Sequence, residues 1–151
     1  MSAFVFMPPG ADSELIDTLL TGLRNNPDVR AAFGTPPRVF DGETERELFP
    51  FASLERVESE DASFIGAEAR MHRMTFVTAS RDGGRRRAVE LVDGLSSAAQ
   101  RVPLALNGQD IVYRYVVYTD VVRPPDRRHF RGLMRLKILC RAVVSAGGGA
   151  A

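Results

Sequence analysis

The stretch Arg70–Gln100, RMHRMTFVTASRDGGRRRAVELVDGLSSAAQ, decides the fold. Its first part alternates: His72, Met74, Phe76 and Thr78 point one way, and Met71, Arg73, Thr75 and Val77 the other. A period of two, rich in β-branched and aromatic types, predicts a strand. Ser80-Arg81-Asp82-Gly83-Gly84 ends it. Paired glycines permit a sharp reversal, and Asp82 is placed to cap a helix. The period then changes. Ala88, Leu91, Val92, Leu95 and Ala99 recur at three and four, which puts an apolar stripe on one side of a helix. A strand feeding a helix through a short turn predicts two layers, a sheet with a helix lying on it.

Working outward, Asp12 or Ser13 is expected to cap a helix to about Arg24, with Leu15, Ile16, Leu19, Leu20 and Leu23 as its buried stripe. Asn25-Asn26 closes it. Pro27 opens a second short helix, and Gly34 ends that one. Arg38-Val39-Phe40 reads as a short strand, followed by an Asp41-Gly42 turn. Residues 49–57 read as the next strand, with Phe51, Ser53, Glu55 and Val57 on one face and Ala52, Leu54 and Arg56 on the other. Glu58–Glu68 has no period and predicts an acidic, mobile loop. After the strand–helix unit, Val102–Leu106 returns along the surface and Asn107-Gly108 turns.

Asp110–Val121 predicts a strand with Ile111, Tyr113, Tyr115 and Val117 on one face and Val112, Arg114, Val116 and Tyr118 on the other. Residues 128–144 predict the last strand. Met134, Leu136, Ile138, Cys140 and Ala142 form its apolar side, and Arg131, Arg135, Lys137 and Arg141 its basic side. The expected architecture is α+β: N-terminal helices, then a mostly antiparallel sheet with one long helix packed on it. Residues 1–10 are expected to be a loose arm, 11–144 a single domain, and 145–151 a flexible tail.

A chain of 151 residues fits one domain. At this size roughly 70% of the unfolded surface can be buried, so no disulfide or metal is required to hold it. Its 20 basic and 19 acidic side chains leave a net charge of +1, which argues against a generic nucleic-acid coat. The single cysteine excludes an internal disulfide and suits a reducing compartment. The apolar opening Met1–Met7 is short and stops at Pro8-Pro9-Gly10, so no secretory leader and no membrane span are expected.

The sequence holds no phosphate-binding GxxxxGK[ST] or GxGxxG loop and no GxSxG nucleophile elbow. His72 and His129 lack ligand-spaced partners, so no metal is expected, and no cofactor either. Cys140 falls on an apolar strand face, which marks a structural thiol. Glu55, Glu58, Glu60 and Asp61 cluster, but outside any evident pocket they read as a solvated acidic loop. Two features go further. Arg85-Arg86-Arg87 opens a helix, where positive charge opposes the helix dipole. The basic side of the last strand is joined by Arg123, Arg127 and Arg128. Against these stand Glu43, Glu45, Glu47, Glu58, Glu60 and Asp61. One acidic and one basic edge suit head-to-tail contact between copies, which closes into a ring when the rotation allows.

The order of motifs resembles the tail terminator, or tail-completion, proteins of long-tailed phages and gene transfer agents. The resemblance runs from Asn26 to Val144. It rests on Arg38–Gly42, on Phe49–Leu54, and on Thr75–Gly84 leading into a helix. It continues through Pro103–Val112 and Asp126–Gly132 before the final strand. The arm with Pro8-Pro9-Gly10 and the 58–68 segment depart from the family pattern. What the resemblance implies is a structural protein without catalytic residues, made in the bacterial cytoplasm and retained at the neck of the particle. Its implied partners are copies of itself in a ring (usually a hexamer), the tail tube protein, the head–tail connector or stopper, and double-stranded DNA crossing the lumen. Arg85, Arg86, Arg87, Arg131, Arg135, Lys137, Arg141, Glu58, Glu60 and Asp61 are the candidate interface or lumen residues. Two alternatives remain beside it: a head-completion or connector-stopper protein of the same neck, and a small nucleic-acid-binding module. The latter would use Tyr113, Tyr115 and Tyr118, whose alternation reads as ordinary sheet packing.

Overall fold

In the computed structural model, residues 4–42 and 48–144 are described. Among them the elements run α1 (Ala11–Asn25), α2 (Pro27–Phe33), β1 (Val39–Asp41), β2 (Phe51–Asp61), β3 (Ala69–Ser80), α3 (Gly84–Arg101), β4 (Gln109–Val122) and β5 (Phe130–Ala142). The strands form one sheet in the order β1-β2-β3-β5-β4. β1 pairs parallel with β2, and every other pairing is antiparallel. The α+β architecture is as expected from the sequence. The last strand, however, is inserted between β3 and β4.

The core lies between the helices and one face of this sheet. Phe76, Met74 and His72 of β3 point into it with Met134, Leu136, Ile138 and Cys140 of β5. The whole α3 stripe is buried against them: Ala88, Leu91, Val92, Leu95 and Ala99. α1 adds Leu15, Leu19, Leu20 and Leu23, each worth about 1.5–3 kcal/mol when fully buried, while Ile16 is only partly covered. Asn26 joins the two N-terminal helices. It is the last cap of α1, and its Oδ1 accepts from the Asp28 and Val29 amides at 3.0 and 3.1 Å to start α2.

Several local expectations are corrected. Neither long helix is capped by a side chain: Gly10 and Gly83, both left-handed, hold the N-cap positions. Asp12 lies inside the first turn of α1, past the cap position, and Arg70 holds both its oxygens, at 3.1 and 3.0 Å. The acidic loop expected over 58–68 is strand in its first four residues, Glu58–Asp61. β2 runs on to Asp61, paired with β3 as far as Arg70, and the connection over 62–68 is a loop closed by the Phe64–Ala67 bridge. A bulge at Glu55 reverses the parity of β2, so its polar half shows no continuous alternation. The N-terminal arm is fastened where described: the Val5 amide donates to Gly66 O at 3.0 Å, and the Met7 amide to Glu68 Oε1 at 2.8 Å. Residues 145–151, expected to be a flexible tail, lie outside the described residues, as do Glu43, Glu45 and Glu47.

His72 is 1% exposed. Its Nδ1 pairs with the Ser59 hydroxyl at 2.7 Å, and its Nε2 lies 3.8 Å from Asp12. Burial pushes its pKa below the usual 6.5, more strongly than Asp12 raises it, and Arg70 lowers it further. The unfolded chain therefore takes up a proton first as the pH falls. Stability is complete above about pH 6.5 and is lost below that value, towards the depressed folded pKa. In urea unfolding, His72→Gln is expected to flatten this part of the pH dependence. An unchanged slope would remove His72 from the account.

Candidate assembly surface

The helices cover one face of the sheet, and among the described residues no helix covers the other. Alternation along β5 divides its side chains between the two. Even-numbered residues are buried from Gly132 to Ala142, while Arg131, Arg135 and Arg141 are exposed on the open face and Lys137 is half-buried there.

Bulges decide what joins them. β4 is interrupted between Ile111 and Tyr113 and again between Val116 and Tyr118. Each bulge shifts the side-chain parity by one. Ile111, Arg114 and Val116 therefore pair with Cys140, Ile138 and Leu136 on the helix side, and the Arg114 guanidinium donates to Ala99 O of α3 at 3.3 Å. Tyr113, Tyr115 and Tyr118 pair with Leu139, Lys137 and Arg135 on the open side. The expected faces of this strand, with Tyr118 opposite Tyr113 and Tyr115, are thus corrected. In β2 the Glu55 bulge brings Arg56, Glu58 and Glu60 to the same open face, opposite Thr75, Arg73 and Met71.

The face is therefore ruled into rows that cross four strands. One row is Tyr118–Arg135–Thr75–Arg56, and the next is Tyr115–Lys137–Arg73–Glu58. A third is Tyr113–Leu139–Met71–Glu60. Positive charge gathers towards β4 and negative charge towards the β2 side. The acidic side is partly neutralised, by Arg56 on Glu58 and by Arg73 on Glu60, both at 2.6 Å. The Glu60 contact holds the Arg73 guanidinium above its ordinary pKa. Asp61 does not join the rows. It accepts from the Ser63 hydroxyl and amide, which lower its pKa.

The tyrosine rings are engaged within the face. Tyr118 donates to Asp120 at 2.7 Å, which raises its pKa, and the Arg135 guanidinium lies 5.2 Å from its ring centre. Tyr113 and Tyr115 lie 5.4 Å apart at a tilt, and the Tyr113 hydroxyl reaches Met71 Sδ at 3.8 Å. Single-strand binders present free ring faces for stacking, so this arrangement does not favour the nucleic-acid module.

The second basic cluster lies at one end of the molecule. Arg85 and Arg123 flank the Phe130 ring at 5.8 and 5.5 Å. Arg81 lies 4.1 Å over Phe49, whose ring is 6.1 Å from that of His129. Such contacts hold a guanidinium for about 0.5–1 kcal/mol at an exposed site. Arg86 and Arg87 approach Glu90 at 3.4 and 3.9 Å. Arg85–Arg87 thus share an end with Arg131, apart from Arg141 at the far end of β5.

Cys140 is fully buried on the helix side, and burial pushes its thiol up to about 12. A concavity of 620 Å³ is an open groove between α1 and the 101–105 segment, lined by Asp17, Thr21, Asn26 and Arg101 among others. Among the described residues no helix is long and apolar enough to cross a membrane.

Residues 17–141 match the family described as Tail completion protein gp17. The chain belongs to this tail-completion family. The fold is also that of a chain in the virion of a native gene transfer agent particle. The two superpose with a TM-score of 0.76 at 18% identity, over 89% of this chain and 100% of the other. No curated protein matches the chain. Membership makes it a structural component of a phage-type tail, as the order of its motifs suggested.

Proposed function

We propose that this chain closes into a ring, a hexamer as the family resemblance implies, on the end of a completed tail tube. The ring buries the growing face of the tube and offers a face that accepts no further tube subunit. It joins the tube to the head connector or stopper, and double-stranded DNA passes through its hole. Assembly takes place in the bacterial cytoplasm, after which the ring stays at the particle neck. Given the tail-completion family, the observation that carries this reading is the open sheet face, acidic towards β2 and basic towards β4. Opposite charge on two sides of one subunit favours contact with an identical neighbour and disfavours wrong docking. Arginines facing the hole would hold passing DNA weakly and without reading sequence.

Solution mass and electron images of the purified protein, alone and with tail tubes, test the reading. The expected result is a concentration-dependent oligomer, closed rings, and rings at tube ends. A strict monomer that never decorates tubes would sink it.

A further inference from the structure

Among the described residues β4 is the last strand on its side of the sheet, and 12 of its 14 residues pair with β5, on one edge only. Among the described residues the Val116 amide alone on this strand is taken by a group outside the sheet, Gln100 Oε1 at 2.9 Å. The strand is also apolar where it is open: Val112, Tyr115, Val117, Tyr118 and Val122 are each 43–48% exposed. A long apolar edge left unpaired is a template for another strand. Among the described residues part of the opposite side is open as well. β1 pairs only with Ala52–Leu54, so among the described residues Glu55–Asp61 has β3 as its single neighbour.

The two sides of the sheet carry opposite charge, although β4 itself has two carboxylates against one arginine and the basic excess lies on β5, one strand in. β2 has four carboxylates against one arginine, while β4 and β5 together have five cations against two carboxylates. Arg135 leans towards the β4 edge, over Tyr118. Joining β2 to β2 would set carboxylates side by side, which destabilises a pairing, and joining β4 to β4 would bring the β5 cations of two copies towards each other. Joining β4 of one copy to β2 of the next brings the β5 cations, Arg135 foremost, towards the carboxylates of β2. The directions agree: β2 and β5 run the same way, and β4 runs against both.

Building on the ring reading above, we propose that the subunit contact is strand addition. β4 of one copy pairs antiparallel with the Glu55–Asp61 half of β2 in the next, so that one sheet runs through the contact. Backbone hydrogen bonds supply the attraction, and the charges fix the head-to-tail sense.

Two reversed variants test this: E58R/E60R on one edge and R135E/K137E on the other. Each is expected to stay monomeric at concentrations where the natural chain assembles, with a circular dichroism melt confirming the fold. An equimolar mixture is expected to regain the oligomer, because every contact in an alternating ring is then matched. Should a double reversal unfold, E58R and R135E carry the same comparison. Variants that assemble alone, or folded variants that fail to complement, overturn the strand pairing. They leave the ring reading standing as long as the natural chain still forms rings. A natural chain that stays monomeric overturns both.

Discussion

Phe76→Ala is expected to lower the unfolding free energy by about 3–5 kcal/mol, the range for deleting a fully buried ring. Phe76 is 0% exposed on the middle strand of the sheet. Its flanking partners, Leu54 and Met134, belong to strands held by hydrogen-bonded ladders. Those ladders keep the surroundings from collapsing into the space, so most of the cavity persists. At about 2–4 °C per kcal/mol for a chain of this length, the melting temperature should fall by roughly 6–20 °C. Urea and thermal unfolding check it. A loss under about 1 kcal/mol would mean that the middle of the sheet is not packed as described. The open face depends on the same strand, since Arg73 and Thr75 sit on its other side. Subunit association should therefore weaken in step with the folded fraction.

The second large effect is expected at Gly132. This residue pairs with Thr78 and Val121 and faces α3. A Cβ placed there would run into Thr78 Oγ1 and Val92 Cγ2. Glycine is needed here for space, because helix and sheet approach each other too closely for any side chain. Overpacking of this kind costs about 1–3 kcal/mol for alanine, and valine should exceed that. The cause can be isolated. Val92→Ala removes one of the two obstructing groups, so in the Gly132→Ala background it should return part of the lost stability. Strict additivity of the two substitutions would place the strain elsewhere.

Much of this architecture is legible in the amino-acid order. β3, α3 and β5 keep an unbroken period, because each buries one complete side: Met74 and Phe76, Leu91 and Leu95, Leu136 and Ile138. The second half of β2 was hidden. Glu55, Arg56, Val57 and Glu58 are all exposed, so no apolar period remains to mark a strand, and the bulge removes the alternation. β4 was recognised as a strand but with its faces mixed, since its two bulges leave no trace in composition. The caps were missed for a different reason: glycine in the left-handed region ends a loop without any polar signature.

The candidate surface was half readable. The basic side of β5 follows from alternation alone. The rows joining Lys137 to Arg73 and Glu58 do not, because they depend on which strands are neighbours, and pairing is decided by the tertiary fold. The tyrosines of β4 belong to the same case.

The place of β5 has a temporal meaning. Among the described residues it is the last strand made, yet it alone links β4 to the rest of the sheet. On the ribosome, β2 and β3 can form a hairpin early, but β4 must wait without a ladder until Phe130–Ala142 has emerged. Neither the tyrosine rows nor a paired β4 can exist until β5 is made, so translation itself delays the proposed contact surface to the end of synthesis.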